Sequence, residues 1–282
     1  MKKMIFVVIL IVLFVTSCSI KEINFDSTKL LSEWYTETAA MGGSTFWNPI
    51  AYTLPPADGI TVSKITLEDG MLIDFYFPNG HLSGDKTPVI ITPTSFKMSD
   101  EFDRFGRSIL TMDYNISWAH LLASEGYVVV KYDTNVPSKA LEEIITYLNL
   151  NRKAIGIDTD RIGLWSLSSN PQTVLSFLTF GDEKLKSQIK CSAFFSPDLK
   201  LKGQVQFSTL YHVPYFIAVG LKDDPSTVKR AKEFAEKCEE AGLPYEYFEH
   251  PEGGHGFDAL QNDEITHSII ESTLNFYREY LF

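Results

Sequence analysis

The chain has 282 residues, 44% hydrophobic and 22% charged, with 13 Pro and 17 Gly; it can close a core, which excludes a disordered or collagen-like polypeptide. Acidic side chains number 36 against 25 basic ones, so the formal charge is -11, which argues against nucleic acid or an anionic membrane surface as a partner. The cysteines Cys18, Cys191 and Cys238 are too few for a disulfide scaffold and too scattered for a zinc site, and nothing in the chain calls for a metal or a cofactor.

Lys2 and Lys3 precede an apolar run from Met4 to Val15, the charged head and hydrophobic stretch of an export signal and too short to span a bilayer comfortably. The run ends in Val15-Thr16-Ser17-Cys18, which resembles the lipobox of bacterial lipoproteins. That resemblance implies removal of residues 1–17 and a lipid on Cys18; an ordinary thiol behind a plain signal or membrane anchor is the other reading. Lys2 and Lys3 leave with the signal, so 23 basic side chains then face 36 acidic ones and the charge becomes about -13. Acyl chains, not surface charge, would hold such a protein in the cell envelope or at the cell surface. From Ser19 to about Pro56, Trp34, Tyr35, Phe46, Trp47 and Tyr52 sit among polar residues without a lasting period, as in a tether and wrapping segment. The expected organisation is a signal over 1–17, a lipidated tether and wrapping segment over 18–58, and one α/β domain over 59–282.

Beyond the wrapping segment, strand-length apolar runs alternate with helical patterns, the signature of a mostly parallel sheet covered by helices on both faces. Eight strands are predicted: Thr61 to Leu67, Met71 to Phe77, Pro88 to Thr92, Tyr127 to Tyr132, Arg161 to Ser166, Ile189 to Phe195, Pro214 to Val219 and Tyr245 to His250, the first pair antiparallel. Buried helical stripes run through Leu141, Ile144, Ile145 and Leu148, through Val228, Ala231, Phe234, Ala235 and Cys238, and through Ile270, Leu274, Tyr277 and Leu281. Cys238 on its stripe reads as a buried free thiol, with a Cys191 to Cys238 disulfide as the alternative in an oxidising compartment.

Within Arg161-Ile162-Gly163-Leu164-Trp165-Ser166-Leu167-Ser168-Ser169-Asn170, a predicted strand runs straight into a predicted helix. With Gly156-Ile157-Asp158 ahead of it, this stretch resembles the nucleophile elbow of the α/β hydrolases, especially the dienelactone-hydrolase-like esterases. The resemblance implies Ser168 as nucleophile, thrust out by a tight strand-to-helix turn, and the Ser169 N–H as an oxyanion donor. Ser166 and Asn170 stand where the family has glycine, and Pro171 disfavours α geometry at Asn170, so the helix is expected to begin later than usual.

Further along, Val219-Gly220-Leu221-Lys222-Asp223-Asp224 looks like the family's acid turn, which puts Asp223 forward as the acid, with Asp224 and the more distant Asp198 as rivals. The loop His250-Pro251-Glu252-Gly253-Gly254-His255-Gly256-Phe257-Asp258 resembles the family's histidine loop and implies His255 as base. The order Ser, Asp, His is that of the α/β hydrolases. The second oxyanion donor is expected from the loop Thr92-Pro93-Thr94-Ser95-Phe96, where Pro93 has no N–H and Ser95 is favoured over Thr94 and Phe96.

The implied activity is two-step acyl transfer on a small-molecule carboxylic ester. Only Leu199 to His212 separate the sixth and seventh predicted strands, too little for a cap domain, so pocket walls are expected from Trp47 and its neighbours and from Phe96 to Tyr114. Short or medium esters fit such walls best. The competing class is a catalytically silent surface lipoprotein that uses the same cleft to bind a ligand or partner, motivated by the two missing glycines.

Overall fold

The computed structural model of the protein describes residues 29–33, 48–199, 207 and 210–282. The signal, Cys18, Trp34, Tyr35, Phe46, Trp47 and most of the short connection after Leu199 lie outside the described residues. The strands are β1 (Lys29–Leu30), β2 (Thr61–Thr66), β3 (Leu72–Phe77), β4 (Thr87–Thr92), β5 (Val128–Asp133), β6 (Ile157–Leu167), β7 (Ile189–Phe195), β8 (Tyr215–Gly220) and β9 (Tyr245–His250). They form one nine-stranded sheet in the order β1-β2-β3-β5-β4-β6-β7-β8-β9. β1 to β3 are antiparallel, β3 also pairs β5 antiparallel, and from β5 to β9 every pairing is parallel. The two-residue β1 is the ninth strand, absent from the sequence-based expectation of eight; two residues show no period.

The helices are α1 (Met98–Phe105), α2 (Asp113–Ser124), α3 (Pro137–Ile155), α4 (Pro171–Phe180), α5 (Glu183–Lys186), α6 (Pro225–Glu240), α7 (Phe257–Leu260) and α8 (Glu264–Leu281), with a 3-10 turn over Ile109–Thr111. Side chains alternate across each strand, so the sheet has two apolar faces. On one, Ile144, Leu148, Val174, Leu178, Phe234 and Cys238 of α3, α4 and α6 pack against Val89, Val130 and Ile217. On the other, Trp118 and Leu122 of α2 and Ile270, Leu274 and Tyr277 of α8 pack against Val129, Trp165, Phe195 and Phe216. Every residue of β5 and β8 is buried, as expected for strands covered on both sides.

The three helical stripes read from the sequence are the faces that pack. Cys238 and Cys191 are free and buried on opposite faces of the sheet, so the disulfide alternative does not form. The last helix closes directly behind β6: Tyr277 Oη donates to Leu164 O at 2.8 Å, and the Tyr277 ring and Leu281 fill the space that a side chain at Gly163 would occupy. In the described part of the wrapping segment, Ile50 is buried and its N–H donates to Ser117 Oγ at 3.0 Å.

The chain passes from β5 over β4 to β6, so connections diverge between β4 and β6. In an open α/β sheet this divergence leaves a crevice at the carboxyl ends of the strands, the usual place for a ligand.

Candidate active site

Ser168 follows β6 at that edge with φ +60, in the left-handed region that costs a residue with a Cβ about 1 kcal/mol or more. Two backbone bonds hold it there: Ser168 N donates to Phe195 O at 3.0 Å, and Asp198 N donates to Ser168 O at 2.6 Å. The strain is therefore borne by the ends of β6 and β7 together, which the sharp turn of the elbow motif requires.

His255 Nε2 lies 3.0 Å from Ser168 Oγ across 87 positions of sequence, and His255 Nδ1 lies 2.9 Å from Asp223 Oδ2. A carboxylate only accepts, so Nδ1 carries the proton and Nε2 presents its lone pair to the Ser168 hydroxyl. The Asp223 side chain is 4% exposed and that of His255 37%, so the carboxylate is sheltered while the imidazole reaches the open edge. The His255 pKa is raised above its ordinary value, first by the Asp223 hydrogen bond; partial burial opposes this, and the charges of Asp223, Asp258 and Asp198 add to it. Such an arrangement can draw the hydroxyl proton onto the imidazole as a new bond forms to Ser168 Oγ.

The rivals for the acid have other tasks. Asp224 caps α6 by accepting from Ser226 N at 2.8 Å, and Asp198 pairs with Arg230 at 2.6 Å. Backbone bonds stitch the acid turn to the histidine loop, with Leu221 N on His250 O at 2.9 Å and Lys222 N on Gly253 O at 2.8 Å. Gly220 makes that approach possible, since a side chain there would place its first carbon 2.3 Å from Gly253 O. His250 is buried with Nε2 3.1 Å from Asp263 Oδ1, in keeping with strand-end packing.

Three further residues shape the loops around the site, and the sequence singled none of them out for that role. Ser196, at φ +40 beyond β7, accepts the Gly256 N–H on its Oγ at 3.1 Å and so fixes the residue after His255. Asp258 is fully buried, and its Oδ2 accepts from Tyr114 Oη at 2.6 Å and Trp118 Nε1 at 2.8 Å. Burial raises the Asp258 pKa to about 6. Ala51 N also donates to Asp258 O at 2.6 Å, which ties the wrapping segment to the same loop.

Asn170 is the third, and it corrects two expectations. Its φ and ψ are -63 and -30, ordinary α geometry, and α4 starts at once with Pro171 at its first position, not later. A proline there loses no helical bond, and Asn170 N donates to Leu167 O at 3.0 Å, so the turn is closed before the helix begins. The side chain, standing where the family has glycine, reaches 75 positions back: Asn170 Oδ1 accepts Ser95 N at 3.0 Å and Ser95 Oγ at 3.0 Å. The Ser95 N–H expected to face the oxyanion is thus already bonded. Phe96 N donates to Thr94 Oγ1 at 3.2 Å, and Ser95 Oγ lies 2.9 Å from Ser169 Oγ. Among the described residues no backbone carbonyl takes the Ser169 N–H or the Thr94 N–H. Ser166, at the other glycine position, is a buried residue of β6 whose hydroxyl has no hydrogen-bond partner among the described residues.

Among the described residues no group of three His, Cys, Asp or Glu side chains could hold a metal ion, and no helix is long and apolar enough to cross a membrane.

The chain matches no protein-family model and no curated protein sequence. Solved structures do resemble it. Esterase 2 of Thermogutta terrifontis in its native form is 16% identical, covers 81% of this chain and 93% of its own, and superposes with a TM-score of 0.57. The same esterase phosphorylated by paraoxon has 16% identity and a TM-score of 0.57, over 80% of this chain and 95% of that one. Dipeptidyl peptidase 4 of Porphyromonas gingivalis is 17% identical with a TM-score of 0.58; the match covers 82% of this chain but only 36% of the peptidase. The mostly parallel sheet, the helices on both of its faces and these likenesses together make this an α/β-hydrolase fold.

Proposed function

We propose that the protein is a serine hydrolase that cleaves short or medium carboxylic esters through an acyl-enzyme formed on Ser168. The observation that carries this reading is the continuous chain of hydrogen bonds from Ser168 Oγ through His255 to Asp223. In the first step His255 Nε2 takes the Ser168 proton as the oxygen attacks the ester carbonyl carbon. The tetrahedral intermediate collapses, the ester C–O bond breaks, and His255 returns that proton to the departing alcohol. A water then repeats the sequence on the acyl-enzyme and releases the acid. Asp223 stays ionised throughout, holding the imidazole in one tautomer and stabilising its charged form. The Ser169 N–H supplies one oxyanion donor.

Two observations support the reading against a silent binding protein. The residues that replace the family glycines need no glycine: Ser166 lies in a regular strand and Asn170 in ordinary α geometry. The solved neighbours include an esterase with propionate and with butyrate bound, which supports short acyl groups here. Nitrophenyl esters of two to six acyl carbons are expected to be turned over and those of twelve or more to be poor substrates. Peptide amides of the neighbouring peptidase class belong on the same panel. A fluorophosphonate probe should label the folded domain and fail on Ser168→Ala; a folded sample that takes no label would favour the binder.

We propose further that Cys18 carries the lipid that holds the protein in the cell envelope, on the strength of the Val15-Thr16-Ser17-Cys18 sequence behind an apolar run. Metabolic labelling with a fatty-acid analogue should mark the wild type and not Cys18→Ala. Equal labelling of both would end this part of the proposal.

A further inference from the structure

The bonds around Asn170 bear on how the oxyanion is held, and the point rests on the hydrolase reading above. Asn170 Oδ1 accepts both the N–H and the O–H of Ser95. The amide orientation is fixed by chemistry, because a flipped Asn170 would set its NH2 against the Ser95 N–H, donor on donor. With the Ser95 proton directed at Asn170, the 2.9 Å contact between Ser95 Oγ and Ser169 Oγ has Ser169 as donor. A second bond fastens the same loop to α4: Thr173 Oγ1 donates to Thr94 O at 3.2 Å. The loop after β4 is therefore moored to the elbow by side chains, with its Ser95 amide turned toward Asn170 and its Ser95 hydroxyl beside the residue that follows the nucleophile.

We propose that the second oxyanion donor is the Ser95 hydroxyl, and that Asn170 is a positioning residue that holds this hydroxyl ready beside the Ser169 N–H. At rest the Ser95 proton is shared with a neutral amide oxygen. When negative charge develops on the substrate oxygen, a charged acceptor outcompetes the neutral one and the hydroxyl rotates onto it. Asn170 keeps the Ser95 N–H throughout, so the residue turns about one side-chain bond and the loop does not move. The glycine of the family elbow could not do this, having no side chain with which to grip the loop.

The test is a kinetic set on one short nitrophenyl ester, with thermal unfolding to confirm that each variant folds. Ser95→Ala should lower kcat about 100-fold with KM nearly unchanged, as for loss of an oxyanion donor. Ser95→Thr keeps the O–H and should retain most of the rate. Asn170→Gly, which restores the family residue, should lower kcat and not raise it. The double variant should be no slower than Ser95→Ala, since a positioning residue has nothing left to position. Unchanged kcat in Ser95→Ala overturns the inference in favour of the Thr94 N–H, and so does an Asn170→Gly loss that multiplies fully onto that of Ser95→Ala. Turnover that survives Ser168→Ala, or a wild type with neither turnover nor fluorophosphonate labelling, overturns the hydrolase reading and this inference with it.

Discussion

His255 is charged more readily than a free histidine because the Asp223 hydrogen bond leads the groups around it and the charges of Asp258 and Asp198 reinforce it. A general base works as neutral imidazole, so kcat/KM for the ester is expected to fall as pH drops through a value above the ordinary 6.5, not at it. Asp223→Asn removes the leading contribution: the acid limb should move down, and kcat should fall by about a thousandfold or more as the imidazole loses its orientation. A limb that stays in place would mean that Asp223 does not govern the base. Asp258 titrates the other way in stability. Its folded pKa of about 6 exceeds the ordinary 3.8, so the stability linked to its proton is full below the lower value and lost as pH rises through the higher one. Asn at this position keeps an oxygen for Tyr114 and Trp118 and carries no buried charge. Asp258→Asn should therefore raise Tm at pH 8 by a few degrees, corresponding to about 2 kcal/mol or less, and bring no gain near pH 4, as calorimetry at the two pH values would show.

At the scale of elements, the site is an agreement between three strand ends. β6 supplies Ser168, β8 leads to the acid turn and β9 to the histidine loop, and the last two meet through a contact that only Gly220 permits. Gly220→Ala should lower both Tm and kcat by pushing the histidine loop off the acid turn. Gly254→Ala, with nothing within 4 Å of the added carbon, is the matched control and should change little. The strand cores were legible in the sequence because β5 opens on three consecutive valines and β8 is an apolar run of strand length. That Ser168, Asp223 and His255 meet was legible because each follows a strand inside a motif of recognisable order. What stayed hidden are residues whose work is a contact across the chain. Asn170 read as a lost glycine, although its oxygen grips a loop 75 positions away, and Ser196 and Asp258 gave no local sign of holding the histidine loop. The extent of β6, from Ile157 and not Arg161, was hidden too, because Asp158 and Asp160 break its apolar run.

For the whole molecule, the two helical layers leave neither described thiol within reach of solvent. Burial lifts the Cys238 thiol to about 12 and carries that of Cys191 well above its ordinary value. Neither should react with a thiol reagent in the native protein at pH 8, and both should titrate together on unfolding; early reaction of one alone would show that the helical layer on its side of the sheet opens by itself. The same layering ties the strand before Ser168 to α8. The strand that delivers Ser168 is backed by Tyr277 and Leu281, which fill the hollow over Gly163. A nascent product that stops short of α8 would have this strand wet on one side. If the hydrolase proposal holds, such a product should take no label from a fluorophosphonate, because the strand that sets Ser168 against His255 would have lost its backing.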